Sequence, residues 1–348
     1  MRPCDPPGRA TGNNQQPYSV LTTVFIISSV HDVLNVSSLP KAAPMPRLLA
    51  LPVAALVLGL AACSGSGSPA PASSGSAGQT VAVVASTNVY GDIVKDIGGD
   101  AVAVTSIIDS PDLDPHEYTA DARTQLAVSK AQLVIENGGG YDDFVTTMLS
   151  ASTAKPRVVN VADVSGYDQE PAQGAFNEHL WYDFPTMVRL TDQLSQDLTA
   201  LAPERAETFR ANAAAFTTKL HGLELAEADL KAAHAGTGVA ITEPVPLYLL
   251  DASGLVDKTP EAFSEAIEEG TDVAPAVLQQ TVALFDGHQV GLLAYNEQTA
   301  GPQTEAVLKA AKDDDVPVVG VTETLPAGQD YVGWMQANLD AVGSALKG

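Results

Sequence analysis

Short β-branched apolar runs alternate with stretches of helical spacing along most of the chain. "TVAVVAST" is followed by "NVYGDIVKDIGGD", whose Val89, Ile93, Val94 and Ile97 recur at helical spacing before a Gly-Gly stop. The alternation continues through the strand-like "VAVTSIID", a helical "TADARTQLAVSKA", the strand-like "QLVIEN" ending in glycines, a helical "YDDFVTTMLSAS" and the strand-like "RVVNVADV". Such alternation predicts a parallel sheet covered by helices.

From Pro203 the texture changes. Phe209, Ala213, Phe216, Leu220, Leu223 and Leu230 form one apolar seam, interrupted by Glu227. About 30 residues in one helix span roughly 45 Å, enough to run along two lobes. Alternation then resumes with "GVAITEP", "QVGLLAYN" and "VPVVGVTET", separated by the helical "AFSEAIEEG", "PAVLQQTVALF" and "QTEAVLKAAKDD", and ends in "DYVGWMQANLDAVGSALK". The expected fold is α/β, with an N-terminal lobe over residues 80–190, a helical linker over 191–234 and a C-terminal lobe over 235–348. Each lobe is expected to hold a mostly parallel sheet flanked by helices.

The first 79 residues have another character. A 15-residue apolar run, Leu48 to Ala62, follows Met45 and Arg47 and precedes Cys63. It is shorter than the about 20 residues of a membrane-spanning helix and has the anatomy of a secretory signal. Leu60-Ala61-Ala62-Cys63 resembles the bacterial lipobox, so residues 45–62 read as a lipoprotein signal and Cys63 as the lipidated residue. Residues 63–79, rich in Ser, Gly, Pro and Ala, offer little to bury and read as a flexible tether. A signal normally opens the translated chain, so residues 1–44 read as an upstream, non-native start.

Charge and cysteine usage narrow the ligand. Against 42 Asp and Glu the chain carries 18 Lys and Arg, a formal net charge of −24, which argues against nucleic acid and for a cation. With Cys4 and Cys63 set aside no cysteine remains, so a metal must be held by oxygen and nitrogen. Ligands of open α/β sheets bind beyond the carboxyl ends of the strands. His116 in "SIIDSPDLDPHEY", Glu243 in "GVAITEP" and Glu323 in "VVGVTET" stand past strands or in loops, and His179 in "FNEHLWYDFPTM" precedes a helical segment. Alone, each histidine reads as a surface or satisfied core residue and each glutamate as a solvated one, but two imidazoles and two carboxylates together suit a divalent ion. His221, His234 and His288 show no clustering, and His31 falls in the leader. "NGGGYDD" lacks a phosphate-binding spacing and reads as a strand-to-helix turn. No zinc-protease, serine-elbow or Walker motif is present.

From about Thr80 to Lys347 the chain resembles the metal-binding receptor lipoproteins of zinc and manganese ABC importers. The features in order are Gly91-Asp92, Asp-Pro-His-Glu-Tyr at 114–118, Asn-Gly at 137–138, His-Leu-Trp-Tyr-Asp at 179–183, Thr-Glu-Pro at 242–244 and Tyr-Val-Gly-Trp-Met at 331–335. The resemblance implies two lobes joined by one long rigid helix and a metal held between them, by His116 and His179 from one lobe and Glu243 and Glu323 from the other. Glu243 stands where zinc-type relatives often have a third histidine, and Glu323 where many have aspartate. Glu178 replaces a proline and is expected to support a ligand. The resemblance further implies a non-enzymatic, monomeric receptor, lipid-anchored outside the membrane, delivering Mn2+ or Zn2+ to an ABC permease. Carboxylates lean the choice toward manganese, although intrinsic affinity favours zinc. Two other readings stay open: a surface metallohydrolase with Glu117 or Glu178 as base, and a receptor for a chelated metal or an adhesin.

Overall fold

The computed structural model describes residues 80–347, apart from 111–117 and 173. All of these lie in one compact unit, Pro71–Gly348. The leader, the signal at 45–62, Cys63, the tether and His116 with its neighbours Asp114 and Glu117 lie outside the described residues. Among those described, no helix is long and apolar enough to cross a membrane.

In the N-terminal lobe, strands β1 (Val81–Thr87), β2 (Val102–Ile108), β3 (Leu133–Glu136) and β4 (Arg157–Asn160) form one parallel sheet in the order β2-β1-β3-β4. The two central strands are buried on both faces, which is why "VAVVAST" and "LVIE" read as continuous apolar runs. The edge strand β2 instead alternates along Val102–Ser106, as one half-exposed face requires. Helices α1 (Asn88–Gly98), α2 (Ala122–Lys130), α3 (Asp143–Ala151), α4 (Val161–Ser165) and α5 (Phe184–Leu201) flank the sheet.

The stretch "RVVNVADV" departs from its expectation as a single strand. Pairing with β3 ends at Asn160, whose side chain accepts from the Asp163 amide and starts α4 there. A capping side chain thus overrides the β-branched run that follows it.

Helix α6 (Ala206–His234, 29 residues) is the long helix of the seam, about 43 Å end to end. It contacts α1 and α5 of the first lobe and α7 (Leu247–Ala252) and α11 (Tyr331–Ala345) of the second. Its buried residues are Phe209, Ala213, Phe216, Leu220, Leu223 and Glu227, while Leu230 is half-buried. A 3-10 turn at Pro203–Arg205 separates it from α5, which begins at Phe184 and so runs through residue 190.

The C-terminal lobe repeats the scheme with β5 (Gly238–Ile241), the two-residue β6 (Val256–Asp257), β7 (Leu293–Asn296) and β8 (Val318–Val321), all parallel in the order β6-β5-β7-β8. Helices α8 (Glu261–Glu268), α9 (Pro275–Val282) and α10 (Pro302–Asp313) complete it. One buried cluster runs without a break from Val81 in β1, through Phe216 and Leu220 in α6, to Trp334 and Val342 in α11. The lobes therefore share a core, and α6 is a beam packed on both rather than a free linker.

Candidate metal centre

The C-terminal half of the site grows from three adjacent strand ends. Registry of β5, β7 and β8 sets Ile241 beside Ala294 and Asn296 beside Val321, so Glu243 emerges level with Asn296 and Glu323 two residues beyond that level. All three are buried. The Asn296 amide donates from Nδ2 to Glu243 Oε2 at 2.5 Å and to Glu323 Oε1 at 2.8 Å, one hydrogen to each carboxylate. Its Oδ1 accepts from the Gln298 amide, and Gln298 Oε1 in turn accepts from the backbone of Glu323 and Thr324. Thr299 Oγ1 donates to the same Oε2 of Glu243. Burial pushes the Glu243 carboxyl up to about 8, and the charges of Glu268 and Glu323 add to the rise against the hydrogen bonds of Thr299 and Asn296.

The N-terminal half is His179, fully buried one residue ahead of a 3-10 turn at Leu180–Tyr182. The Oδ1 of Asn177 accepts from the His179 backbone at 3.1 Å and lies 2.8 Å from Nδ1 of its ring. An amide oxygen only accepts, which assigns the ring hydrogen to Nδ1 and the lone pair to Nε2. Tyr141 and Trp181 wall the ring, their centroids at 6.1 and 5.2 Å.

The loop "NGGGYDD" sets the height of this segment, and it is the strand-to-helix turn the sequence suggests. Asn137 Nδ2 donates to the Glu178 carbonyl at 2.9 Å, and Asp142 accepts from the amides of Asn137 and Gly138 at 2.6 and 2.8 Å. Burial raises Asp142 to about 6 although Ser86 and these amides pull the other way. Gly138 has φ +73° and no room for a Cβ, which would meet the Asn160 side chain at 2.3 Å.

The halves converge. His179 Nε2 lies 3.5 Å from Glu268 Oε1 and 4.0 Å from Glu323 Oε2. Glu178, His179 and Glu268 each place one donor atom within 4.8 Å of the others. The loops are also tied across the lobes. Asn177 donates to Pro244 O, Tyr248 donates to Asn177 O, Tyr182 donates to Thr322 O, and Asn88 both donates to and accepts from the Leu325 backbone. A cleft of about 760 Å³, lined by residues 267–272, 298–301, Gln303 and Thr304, opens beside Glu268.

Of the four residues proposed from sequence, His179, Glu243 and Glu323 therefore meet around Asn296 and Glu268, while His116 lies outside the described residues. Glu268 was not among them: it is one of 42 acids, and nothing local marks it except the glycine two residues later that ends α8. Asn296 closes "LLAYN" and Asn177 opens "NEHL" without any motif of their own. His221 instead pairs with Glu224 on the exposed face of α6, and His288 sits in a turn at φ 54°. A buried imidazole nitrogen facing carboxylate oxygens, with no thiol nearby, is a donor set for a divalent cation.

Known proteins point the same way. The chain is 26% identical over 314 residues to the metal ABC transporter substrate-binding lipoprotein FimA of Streptococcus parasanguinis, covering 84% of this chain and 96% of that protein. It is 25% identical to the manganese ABC transporter substrate-binding lipoprotein ScaA of Streptococcus gordonii, covering 86% and 98%. Its fold is similar to the crystal structure of ZnuA, with a TM-score of 0.63 at 18% identity over 77% of this chain and 98% of the other. The Mn-bound periplasmic metal binding protein of candidatus liberibacter asiaticus superposes with a TM-score of 0.61 at 18% identity, over 77% and 100%. Residues 83–345 match the model of the family ZnuA, zinc-uptake complex component A, periplasmic, and the chain belongs to that family.

Proposed function

We propose that this protein is an extracytoplasmic receptor that captures a divalent ion, manganese or zinc, between its lobes and delivers it to an ABC permease. The observation that carries the reading is the approach of His179 Nε2 to carboxylate oxygens of the opposite lobe. Relatives named as metal ABC transporter substrate-binding lipoproteins support it over nearly their whole length. The ligands are His116, His179, Glu243 and Glu323, and the protein acts as a monomer lipid-anchored through Cys63. Capture and release need no bond chemistry, so it is not an enzyme.

The network explains how a buried acidic site is tolerated before the ion arrives. Asn296 and Thr299 donate hydrogen bonds to the carboxylates, and an incoming cation replaces mutual repulsion with attraction. Asn177 holds the imidazole in the tautomer that offers Nε2. Elemental analysis and calorimetric titration of the mature protein test the reading. One equivalent of manganese or zinc is expected, with affinity lost by orders of magnitude in His179→Ala. Absence of a tight divalent ion would overturn it.

A further inference from the structure

Glu268 comes from α8, far in sequence from the motifs that carry the family resemblance. Phe263, fully buried in the C-terminal lobe, anchors that helix. Its end is fixed by backbone bonds from Glu269 to Glu265 and from Thr271 to Ala266, with Gly270 at φ +63°. The carboxylate is thus delivered by a rigid element. It also sits at a helix C-terminus, where the carbonyl dipoles favour a cation over an anion.

The spacing fits shared coordination. Donors at about 2.1 Å from one ion stand about 3.0 Å apart at octahedral angles and about 3.4 Å apart at tetrahedral ones. The separation of 3.5 Å between His179 Nε2 and Glu268 Oε1 lies just above that range and is shorter than the 4.0 Å to Glu323 Oε2. Glu268 is thus closer to the imidazole nitrogen than a residue already proposed as a ligand.

We propose that Glu268 is a fifth protein donor to the captured ion and biases the site toward manganese. The assignment rests on the receptor reading above. Four donors complete the tetrahedral shell that zinc prefers, whereas five, mostly oxygen, suit the larger shell of manganese. Glu268 therefore offsets part of the intrinsic advantage of zinc.

The test compares mature wild type with Glu268→Ala and the near-isosteric Glu268→Gln by competitive titration with manganese and with zinc, alongside X-ray absorption of the manganese-loaded wild type. Removing one donor is expected to weaken manganese by about 100-fold and zinc by about 10-fold, raising Kd(Mn)/Kd(Zn) about 10-fold, with Gln between wild type and Ala. Absorption is expected to show five or more nitrogen and oxygen neighbours. If Ala does not fold, the Gln variant and the wild-type coordination number decide. An unchanged ratio in the variants, or four neighbours in wild type, would overturn the role of Glu268 while leaving the receptor intact. A wild type that binds neither ion would overturn the receptor reading and this assignment with it.

Discussion

The side-chain oxygen of Asn177 stands 2.8 Å from Nδ1 of His179, and the same asparagine donates from Nδ2 to the carbonyl of Pro244, the residue after Glu243. One side chain thus orients the ligand of one lobe and ties down the ligand loop of the other. Outer partners of a metal-bound imidazole commonly set 10- to 100-fold of affinity. Asn177→Ala is expected to weaken divalent-ion binding by about that much in calorimetric titration. Tyr248→Phe removes only the bond to the Asn177 carbonyl and is expected to stay within about threefold of wild type, because the imidazole keeps its tautomer. Equal losses in both variants would make the tie, not the tautomer, the important element.

Asn296 is the counterpart on the other side. Its amide is shared by Glu243 and Glu323, so Asn296→Leu leaves two buried carboxylates without their common donor. The apo protein is expected to lose about 1–3 kcal/mol, the usual cost of stripping a hydrogen bond from a buried charged group. A bound cation neutralises the same carboxylates, so the loss measured by urea unfolding should shrink when saturating manganese is present. A loss of equal size in both states would show that Asn296 serves the fold alone.

Much of this architecture is legible in the sequence because the physics is local. Continuous apolar runs mark the doubly covered strands β1 and β3, and spacing along α6 marks Phe209, Phe216 and Leu220 as its buried face. The reading fails where a single side chain decides. Asn160 caps α4 and cuts short an apparent strand, and β6 pairs through only two residues, too few for any periodicity. In the site, His179 and Glu323 stand out through a rare residue type or a strand end. Glu268 owes its position to packing between segments far apart in sequence and leaves no local trace, whereas Asn296 at the end of β7 and Asn177 two residues before His179 are well placed but carry neutral amides that do not signal a metal site.

Phe216 and the helix that carries it bear the shared core. The ring is buried on α6 and packs beside Tyr331, ring centroids 6.2 Å apart, while α6 also contacts α1 and α5. Phe216→Ala is expected to cost about 3–5 kcal/mol, read as a lower urea midpoint with an unchanged slope. Because the cluster spans both lobes, unfolding is expected to stay a single transition by fluorescence and circular dichroism. Two separated transitions would mean that the lobes fold independently.

Glu227 interrupts the apolar seam of α6, yet it is buried there with the apolar residues. Burial pushes its carboxyl up to about 8, and the charges of Asp183 and Glu224 add to the rise. The raised value means the folded protein holds the proton more tightly than the unfolded chain does. Its contribution to stability is complete below about pH 4.5, declines from there upward, and is gone once pH has passed about 8. Glu227→Gln keeps the shape of the neutral carboxyl and cannot ionise. The variant is expected to match wild type within about 1 kcal/mol at pH 5 and to exceed it by about 1–3 kcal/mol at pH 8.5, less than the full shift implies because the fold relaxes around the buried charge. Urea unfolding of the metal-free protein at the two pH values measures the difference. A gap that does not widen with pH would show that Glu227 is already ionised in the fold, with its charge offset by neighbours.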